Sequence, residues 1–206
     1  MKKNMLFSVL IISVLVWALP ASSLTVQSDF GFQITLPANW TVVSRNDVKE
    51  KPDIVKGTFE AAEKDKTLLD LPKDLYNMLK EKMVGGQVEY YYRTDTPHFS
   101  ISVYEEKGTL SQSEAGVKET CQLLPQELSK VSQKPVKVHE CRLKEVGNTK
   151  GLFVVADTYH QGEKYAQYMI QKDPDKVLLF TATGKEQDFN AMSSEFEKVM
   201  KSLEVK

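Results

Sequence analysis

The second half of the chain carries four runs of strand-forming residues that are joined by very short turns. Each run is rich in β-branched and aromatic side chains, and each turn contains glycine or proline beside a polar residue. Parallel neighbours need a connection of about a dozen residues or more, whereas antiparallel neighbours can be joined by two. The spacing therefore predicts an antiparallel meander. The four runs are residues 136–146, 151–160, 164–171 and 176–183.

The segment that follows the meander has the spacing of an amphipathic helix. Its apolar residues recur every three or four positions and form one stripe, which consists of Phe189, Met192, Phe196, Val199 and Leu203. Such a stripe packs on one face of the sheet, so the other helices are left to cover the opposite face or the ends. The pattern predicts an α/β protein in which layers of helix enclose an antiparallel sheet.

The first half of the chain predicts one half-buried strand, a helical insertion and a hairpin. Residues 30–37 alternate apolar and polar side chains up to Pro37, which is typical of a half-buried strand. Helical spacing at 46–64 and again at 67–83 predicts an insertion at about 46–84. The runs 87–93 and 98–105 then predict a hairpin.

A further helix is expected from Ser111 onward. The tetrapeptide Ser-Gln-Ser-Glu at Ser111 has the pattern of a capping box, and apolar residues continue at helical spacing to Leu128. Pro125 lies inside this segment, and we expect it to kink or split the helix.

The start of the chain has the three parts of a secretory signal peptide. Lys2 and Lys3 precede an apolar run at 5–19, and Pro20 is followed by small residues. We expect cleavage after Ser23, with a retained membrane anchor as the alternative. The prediction divides the chain into a signal peptide at 1–23 and a single domain at 24–206, since no repeat or linker interrupts the latter.

The charge of the chain argues against nucleic acid as a partner. Loss of Lys2 and Lys3 with the signal would lower the formal net charge from −1 to −3. Nucleic-acid binding needs a basic face that neutralises phosphates, and every Lys/Arg cluster here is interleaved with acidic residues.

Cys121 and Cys141 predict a disulfide, since an even number of cysteines in an exported chain is typical of one. Two alternatives stay open at this point. The cysteines could be reduced and buried, or they could form a zinc site with His139, which lies two residues before Cys141 on the same predicted strand.

No motif in the sequence predicts catalysis. The three histidines, His98, His139 and His160, fall on three different predicted strands, and no serine lies in a nucleophile elbow. Thr183-Gly184-Lys185 lacks the earlier glycine of a phosphate-binding loop. We therefore expect no catalytic residue, no metal and no cofactor.

Three consecutive tyrosines, Tyr90, Tyr91 and Tyr92, mark the first strand of the predicted hairpin. Successive side chains of a strand point to opposite faces, so aromatic surface must lie on both faces of the sheet. One face belongs to the core. The other is a candidate partner surface, unless a helix covers it.

Both ends of the domain resemble the PsbP-like superfamily, which includes the bacterial DcrB-type periplasmic proteins. The similar segments are GFQITLPANWTVV, with a turn from Pro37 to Trp40, and VLLFTATGKEQDFNAMSSEFEKVMKSLEV, with Ser202 and Leu203 after the closing helix. The resemblance implies an α/β/α sandwich with a mainly antiparallel sheet, in which Trp40 fills the core.

The resemblance also implies a non-enzymatic accessory or binding role. For this chain we expect a periplasmic or secreted protein that acts on another envelope protein or complex. The alternative is a small-ligand binder or hydrolase, whose site would be assembled from residues that are distant in sequence and lie beneath the insertion.

Overall fold

The computed structural model describes residues 23–50, 81–82, 85–93, 95, 99–158 and 160–206. Four parts of the sequence analysis lie outside these residues: the predicted signal segment up to residue 22, all but two residues of the helix predicted at 67–83, most of the insertion, and His98. The strands are β1 Leu24–Gln27, β2 Phe32–Leu36, β3 Trp40–Val43, β4 Val88–Arg93, β5 Ser100–Lys107, β6 Val138–Val146, β7 Thr149–Asp157, β8 Glu163–Asp173, β9 Lys176–Lys185 and β10 Glu204–Val205. The helices are α1 Arg45–Glu50, α2 Glu114–Ser132 and α3 Phe189–Met200.

Seven of these strands form one antiparallel sheet. Its order is β3-β4-β5-β9-β8-β7-β6, and every neighbouring pair is antiparallel. The predicted meander and hairpin are therefore confirmed. The hairpin inserts as a block beside the meander, because β5 pairs with β9, the last strand of the meander.

The strand predicted near the start of the chain lies in a second, smaller sheet. This strand, β2, lies between β1 and β10, both antiparallel to it. Phe32, Ile34 and Leu36 are fully buried, as their alternation predicts. The ring of Phe32 meets that of Phe180 in β9 edge-on, with 5.0 Å between centroids. The small sheet thus packs on one face of the large one.

Helix α3 packs on the same face of the large sheet. Its buried residues are Phe189, Met192, Phe196, Val199 and Met200. The helix ends at Met200, whereas the apolar spacing predicts that Leu203 continues it. The N–H groups of Ser202 and Leu203 each bond to the carbonyl three residues before, so the last turn tightens and the chain enters β10. Leu203 is nevertheless fully buried.

Ser202 joins the end of α3 to the middle of β2. Its hydroxyl oxygen accepts a hydrogen bond from the N–H of Thr35 at 2.9 Å. The hydroxyl proton can donate to the carbonyl of Thr35 at 3.1 Å or to that of Val199 at 2.7 Å. One side chain thereby satisfies a strand and a helix end together.

Helix α2 covers part of the opposite face, which completes the layered sandwich. Beneath it lies a buried cluster of Val136, Leu152, Val154 and Ala156.

The N-cap of α2 is Ser113, whose Oγ accepts a hydrogen bond from the N–H of Gly116 at 3.1 Å. The prediction of a capping box at Ser111 is therefore wrong. Ser111 instead bonds to Ser113. The helix is continuous through Pro125 and is not split. Within the described residues no helix is long and apolar enough to cross a membrane.

We expect Ser202→Ala to lower the free energy of unfolding by about 1–3 kcal/mol, because the N–H of Thr35 loses its acceptor. Urea titration measures the change, and amide hydrogen exchange should become faster at Thr35. Ser111→Ala, at an exposed serine, is the matched control. An equal loss of unfolding free energy in both variants would show that the hydrogen bond between Ser202 and Thr35 stabilises the fold no more than an exposed serine does.

Candidate functional site

The three consecutive tyrosines of β4 divide between the two faces of the large sheet. Tyr91 is fully buried in the core, beneath the small sheet. Its hydroxyl donates to Oε2 of Glu89, the next residue on the same side of the strand, at 2.7 Å. Burial raises the pKa of Tyr91, and the negative charge of Glu89 raises it further. Tyr91 is therefore a core residue and a hydrogen-bond donor.

Glu89 is a buried carboxylate that is only 1% exposed and has three donors. Besides Tyr91, the hydroxyl of Ser28 donates to it at 2.7 Å and the N–H of Asp29 at 3.2 Å. A buried charge is tolerated only when it is hydrogen-bonded in this way. Glu89 thus anchors the β1–β2 turn to the large sheet. The alternation of side chains along β4 predicts that Glu89 faces the core. It does not predict the hydrogen bond with Ser28, which lies 61 residues away in the sequence.

Tyr90 and Tyr92 lie on the opposite face of the sheet. Register places Tyr90 beside Ser102 and Tyr92 beside Ser100. We call this surface the tyrosine face; it consists of Tyr90, Tyr92, Tyr104 and Tyr165, all half-buried. The strand register from β4 to β8 puts all four side chains on one side of the sheet.

Three hydroxyl groups of the tyrosine face, those of Tyr90, Tyr104 and Tyr165, stay protonated far above neutral pH. Burial raises the pKa of Tyr90 and of Tyr165 to about 12, and it also raises that of Tyr104. Gln167, a buried amide on the same face, donates to the hydroxyl of Thr181 at 2.7 Å. The ammonium of Lys82 lies 4.5 Å from the centre of the Tyr104 ring. The face is aromatic but carries polar groups throughout.

Trp40 fills the core, as the resemblance implies. It is 3% exposed, and its ring meets that of Phe99 edge-on, with 5.2 Å between centroids. Its indole N–H donates to Glu195 of α3 at 3.2 Å. Arg93 also donates to Glu195, at 2.8 Å, so the strand pair β3–β4 is tied to the helix.

Cys121 of α2 and Cys141 of β6 form a disulfide. The Sγ atoms lie 2.00 Å apart, and the Cα atoms are separated by 5.6 Å. The alternatives of a reduced pair and of a zinc site are therefore wrong, because disulfide sulfur is not a thiolate ligand. His139 also has another partner: its Nε2 lies 2.6 Å from Oδ1 of Asp157. A β-bulge between Val138 and Glu140 interrupts the alternation on which the zinc hypothesis rested.

A polar cleft of about 670 Å³ lies where β6 and β8 begin and β7 and β9 end. His139 and Asp157 form one wall, and Lys164 with Glu186, 2.6 Å apart, forms another. The hydrogen bond from Lys164 lowers the pKa of the Glu186 carboxyl. The full lining is Lys134, Pro135, Lys137, His139, Asp157, Thr158, His160, Gln161, Gly162, Glu163, Lys164 and Glu186.

The sheet brings His139 and His160 to one cleft, although the sequence places them on separate strands. In the part of the chain that the structure describes, no group of three acidic, histidine or cysteine side chains could hold a metal ion. The cleft is thus a site of paired charges and hydrogen-bonding groups. The spacing of residues in the sequence does not predict this cleft, because its walls are formed by the ends of four different strands.

No protein-family profile matches the chain, and comparison with curated proteins by sequence finds no match. The structure is similar to the solution structure of cyanobacterial PsbP (CyanoP) from Synechocystis sp. PCC 6803. The TM-score is 0.54 at 11% identity, over 98% of this chain and 99% of that one. The PsbP-like fold is therefore confirmed, while similarity to the DcrB-type proteins stays a prediction.

Two other solved structures are similar with lower scores. A crystal structure from Bacteroides thetaiotaomicron VPI-5482 has a TM-score of 0.44 at 11% identity, over 87% of this chain and 47% of that one. A Pseudomonas aeruginosa protein of unknown function has a TM-score of 0.40 at 16% identity, over 52% of this chain and 73% of that one.

We expect replacement of Cys121 and Cys141 by serine to lower the free energy of unfolding by about 3 kcal/mol, the value for a closed loop of this size. Urea unfolding of the variant, and of the parent protein with a dithiol reductant, measures the effect. The two conditions should agree. If the reduced parent unfolds like the oxidised one, the disulfide does not stabilise the packing of α2.

Proposed function

We propose that this protein is an exported, non-enzymatic accessory or binding protein that acts on another envelope protein or complex. The PsbP-like fold supports this proposal at the level of architecture, since that fold extends over nearly the whole chain. The observation that carries it is the tyrosine face. A fold alone does not assign a role, so the support for a binding role comes from the residues of this surface.

The tyrosine face has the composition of a protein-binding surface. Tyrosine offers a large apolar ring together with a hydroxyl that can bond to a partner, which is why it is enriched at interfaces. The hydroxyls of Tyr90 and Tyr165 stay protonated because burial raises their pKa to about 12. Each hydroxyl therefore keeps the proton that it needs to donate a hydrogen bond. Tyr91, on the other face, is already bonded to Glu89 and contributes to stability instead.

Export to the periplasm or the cell exterior belongs to the same proposal. We infer a signal peptide at 1–23 and one domain at 24–206, with the helical insertion at about 46–84. The disulfide between Cys121 and Cys141 supports an oxidising compartment, where such bonds persist.

We expect a photo-crosslinking residue at position 92 to capture a specific envelope protein in cells, whereas the same residue at Asn190 captures none. Asn190 lies on the exposed side of α3, on the far face of the sheet. With the crosslinker at 92, Tyr90→Ala should reduce the adduct about tenfold, as for an aromatic residue at the centre of an interface. Asn190→Ala should leave the yield unchanged.

The partner hypothesis fails if positions 92 and 190 give the same adducts, or if Tyr90→Ala has no effect. Circular dichroism of each variant shows whether the fold is retained. A variant that loses the fold is replaced by Tyr90→Phe, which keeps the ring and removes only the hydroxyl.

The polar cleft favours a second function, the binding of a small ligand. Its volume of about 670 Å³ lies in the range of ligand pockets. His139 and Asp157 converge on it from β6 and β7, and Lys164 and Glu186 from β8 and the end of β9. This is an assembly of sequence-distant residues, as the ligand-binding alternative requires; most of the insertion lies outside the described residues.

We expect amide chemical shifts to change around the cleft when amino acids, short-chain carboxylates or monosaccharides are added singly. Asp157→Asn should abolish the changes for a ligand that bonds to the pair formed by His139 and Asp157, since the amide cannot hold the imidazole in the same way. Lys198→Ala, on the exposed side of α3, should have no effect. Changes that occur elsewhere, or that survive Asp157→Asn, would exclude this use of the cleft.

A further inference from the structure

Strand β6 is an edge of the seven-stranded sheet. It ends the strand order, and among the strands that the structure describes it pairs only with β7. On its outer side, no backbone hydrogen bond joins residues 139–145 to any other described residue. A free edge of this length is a template for another strand.

The turn between β6 and β7 determines which residues of β6 face outward. It has two residues, Gly147 and Asn148, so Val146 and Thr149 form a hydrogen-bonded pair. In an antiparallel ladder such pairs alternate with pairs whose N–H and C=O groups point away. The outward backbone groups of β6 are therefore those of Cys141, Leu143 and Glu145.

The side chains of β6 differ between its two faces. Cys141 and Leu143, together with Arg142 between them, line a mostly apolar groove of about 420 Å³ beside α2. Glu140 and Arg142 lie on the other face, where Arg142 Nε donates to Glu140 at 2.6 Å. Opposite charges thus stand two residues apart on one face, with Cys141 between them. This arrangement is self-complementary under a two-fold rotation.

We propose that β6 pairs antiparallel with β6 of a second copy of this chain, about a two-fold axis at Cys141. Each Glu140 then lies opposite Arg142 of the other copy, so two cross-strand ion pairs form. Residues 140 and 142 would meet as non-hydrogen-bonded pairs, in which Cα atoms lie about 4.5 Å apart and side chains are closest. The two sheets become one continuous sheet.

Charge selects this register among those that the outward backbone groups allow. An axis at Arg142 would place the two Arg142 side chains directly opposite each other. An axis at Leu143 would place Arg142 opposite Lys144, again with like charges. Charged residues normally protect an edge strand from pairing. Here they reject these two registers and stabilise the one centred on Cys141.

This inference is independent of the proposed function. The tyrosine face extends from β4 to β8 and contains no residue of β6. Glu140 and Arg142 lie on the other face of the sheet, so loss of a partner at the tyrosine face and loss of pairing at β6 are measured with different variants.

Sedimentation velocity over a concentration series tests the dimer with charge reversals. We expect the purified parent protein to form a dimer. Glu140→Arg and Arg142→Glu should each raise the dimer dissociation constant about tenfold or more, because attraction becomes repulsion at both pairs. Mixed together, the two variants should form a heterodimer, since arginines of one copy then face glutamates of the other. Lys198→Glu, a charge reversal on α3, should leave the dimer unchanged.

The proposal is overturned if the parent protein stays monomeric at every concentration. It is also overturned if a dimer persists unchanged in both reversal variants, or if the mixture gives no more dimer than each variant alone. Arg142 is 61% exposed, so its replacement does not disturb the core. Circular dichroism and the urea midpoint confirm that each variant is folded.

Discussion

The packing of β2 and α3 on one face of the large sheet is the contact on which the rest of the fold depends. Phe32 and Phe180 meet there, although they come from near opposite ends of the chain. A sheet as small as β1-β2-β10 has little stability alone, so it forms only when its apolar face is buried. Once α3 is in place, Ser202 reaches Thr35 and β10 extends the small sheet. The two termini of the domain are thereby held together.

This packing separates the polar groups of β4 by face. Toward the core, Glu89 is occupied by three donors and Arg93 is bonded to Glu195. These groups hold elements together, and a ligand could reach them only by breaking contacts that the fold needs. Tyr90 and Tyr92 lie on the other face, where the apolar cluster beneath α2 extends over β6, β7 and part of β8. The groups that a partner or ligand could contact without breaking the fold therefore lie on that face and at the strand ends.

Periodicity predicts the elements that bury a regular stripe, and it misses those that do not. The four strands of the meander, β2 and α3 follow from apolar spacing, and the disulfide follows from two cysteines in a chain whose sequence predicts an export signal. Strand β10 has two residues and β1 has four, too few to show a period. His139 and His160 both line the polar cleft because of the register of the strands. That register cannot be read from the spacing of residues along the chain. The sequence pattern predicts the N-cap of α2 at Ser111, two residues before the observed cap at Ser113, because both positions carry a serine hydroxyl.

The disulfide has a physical role that joins α2 to the open edge. Only Ser132 of α2 is buried, so apolar contact holds this helix less firmly than α3. The bond between Cys121 and Cys141 compensates by fixing the helix to β6. The same bond restrains β6 itself, whose outer backbone has no hydrogen-bond partner in the part of the chain that the structure describes. A strand that is already ordered loses less conformational entropy when it pairs. The cross-link that stabilises the helical layer therefore also prepares this edge for another strand.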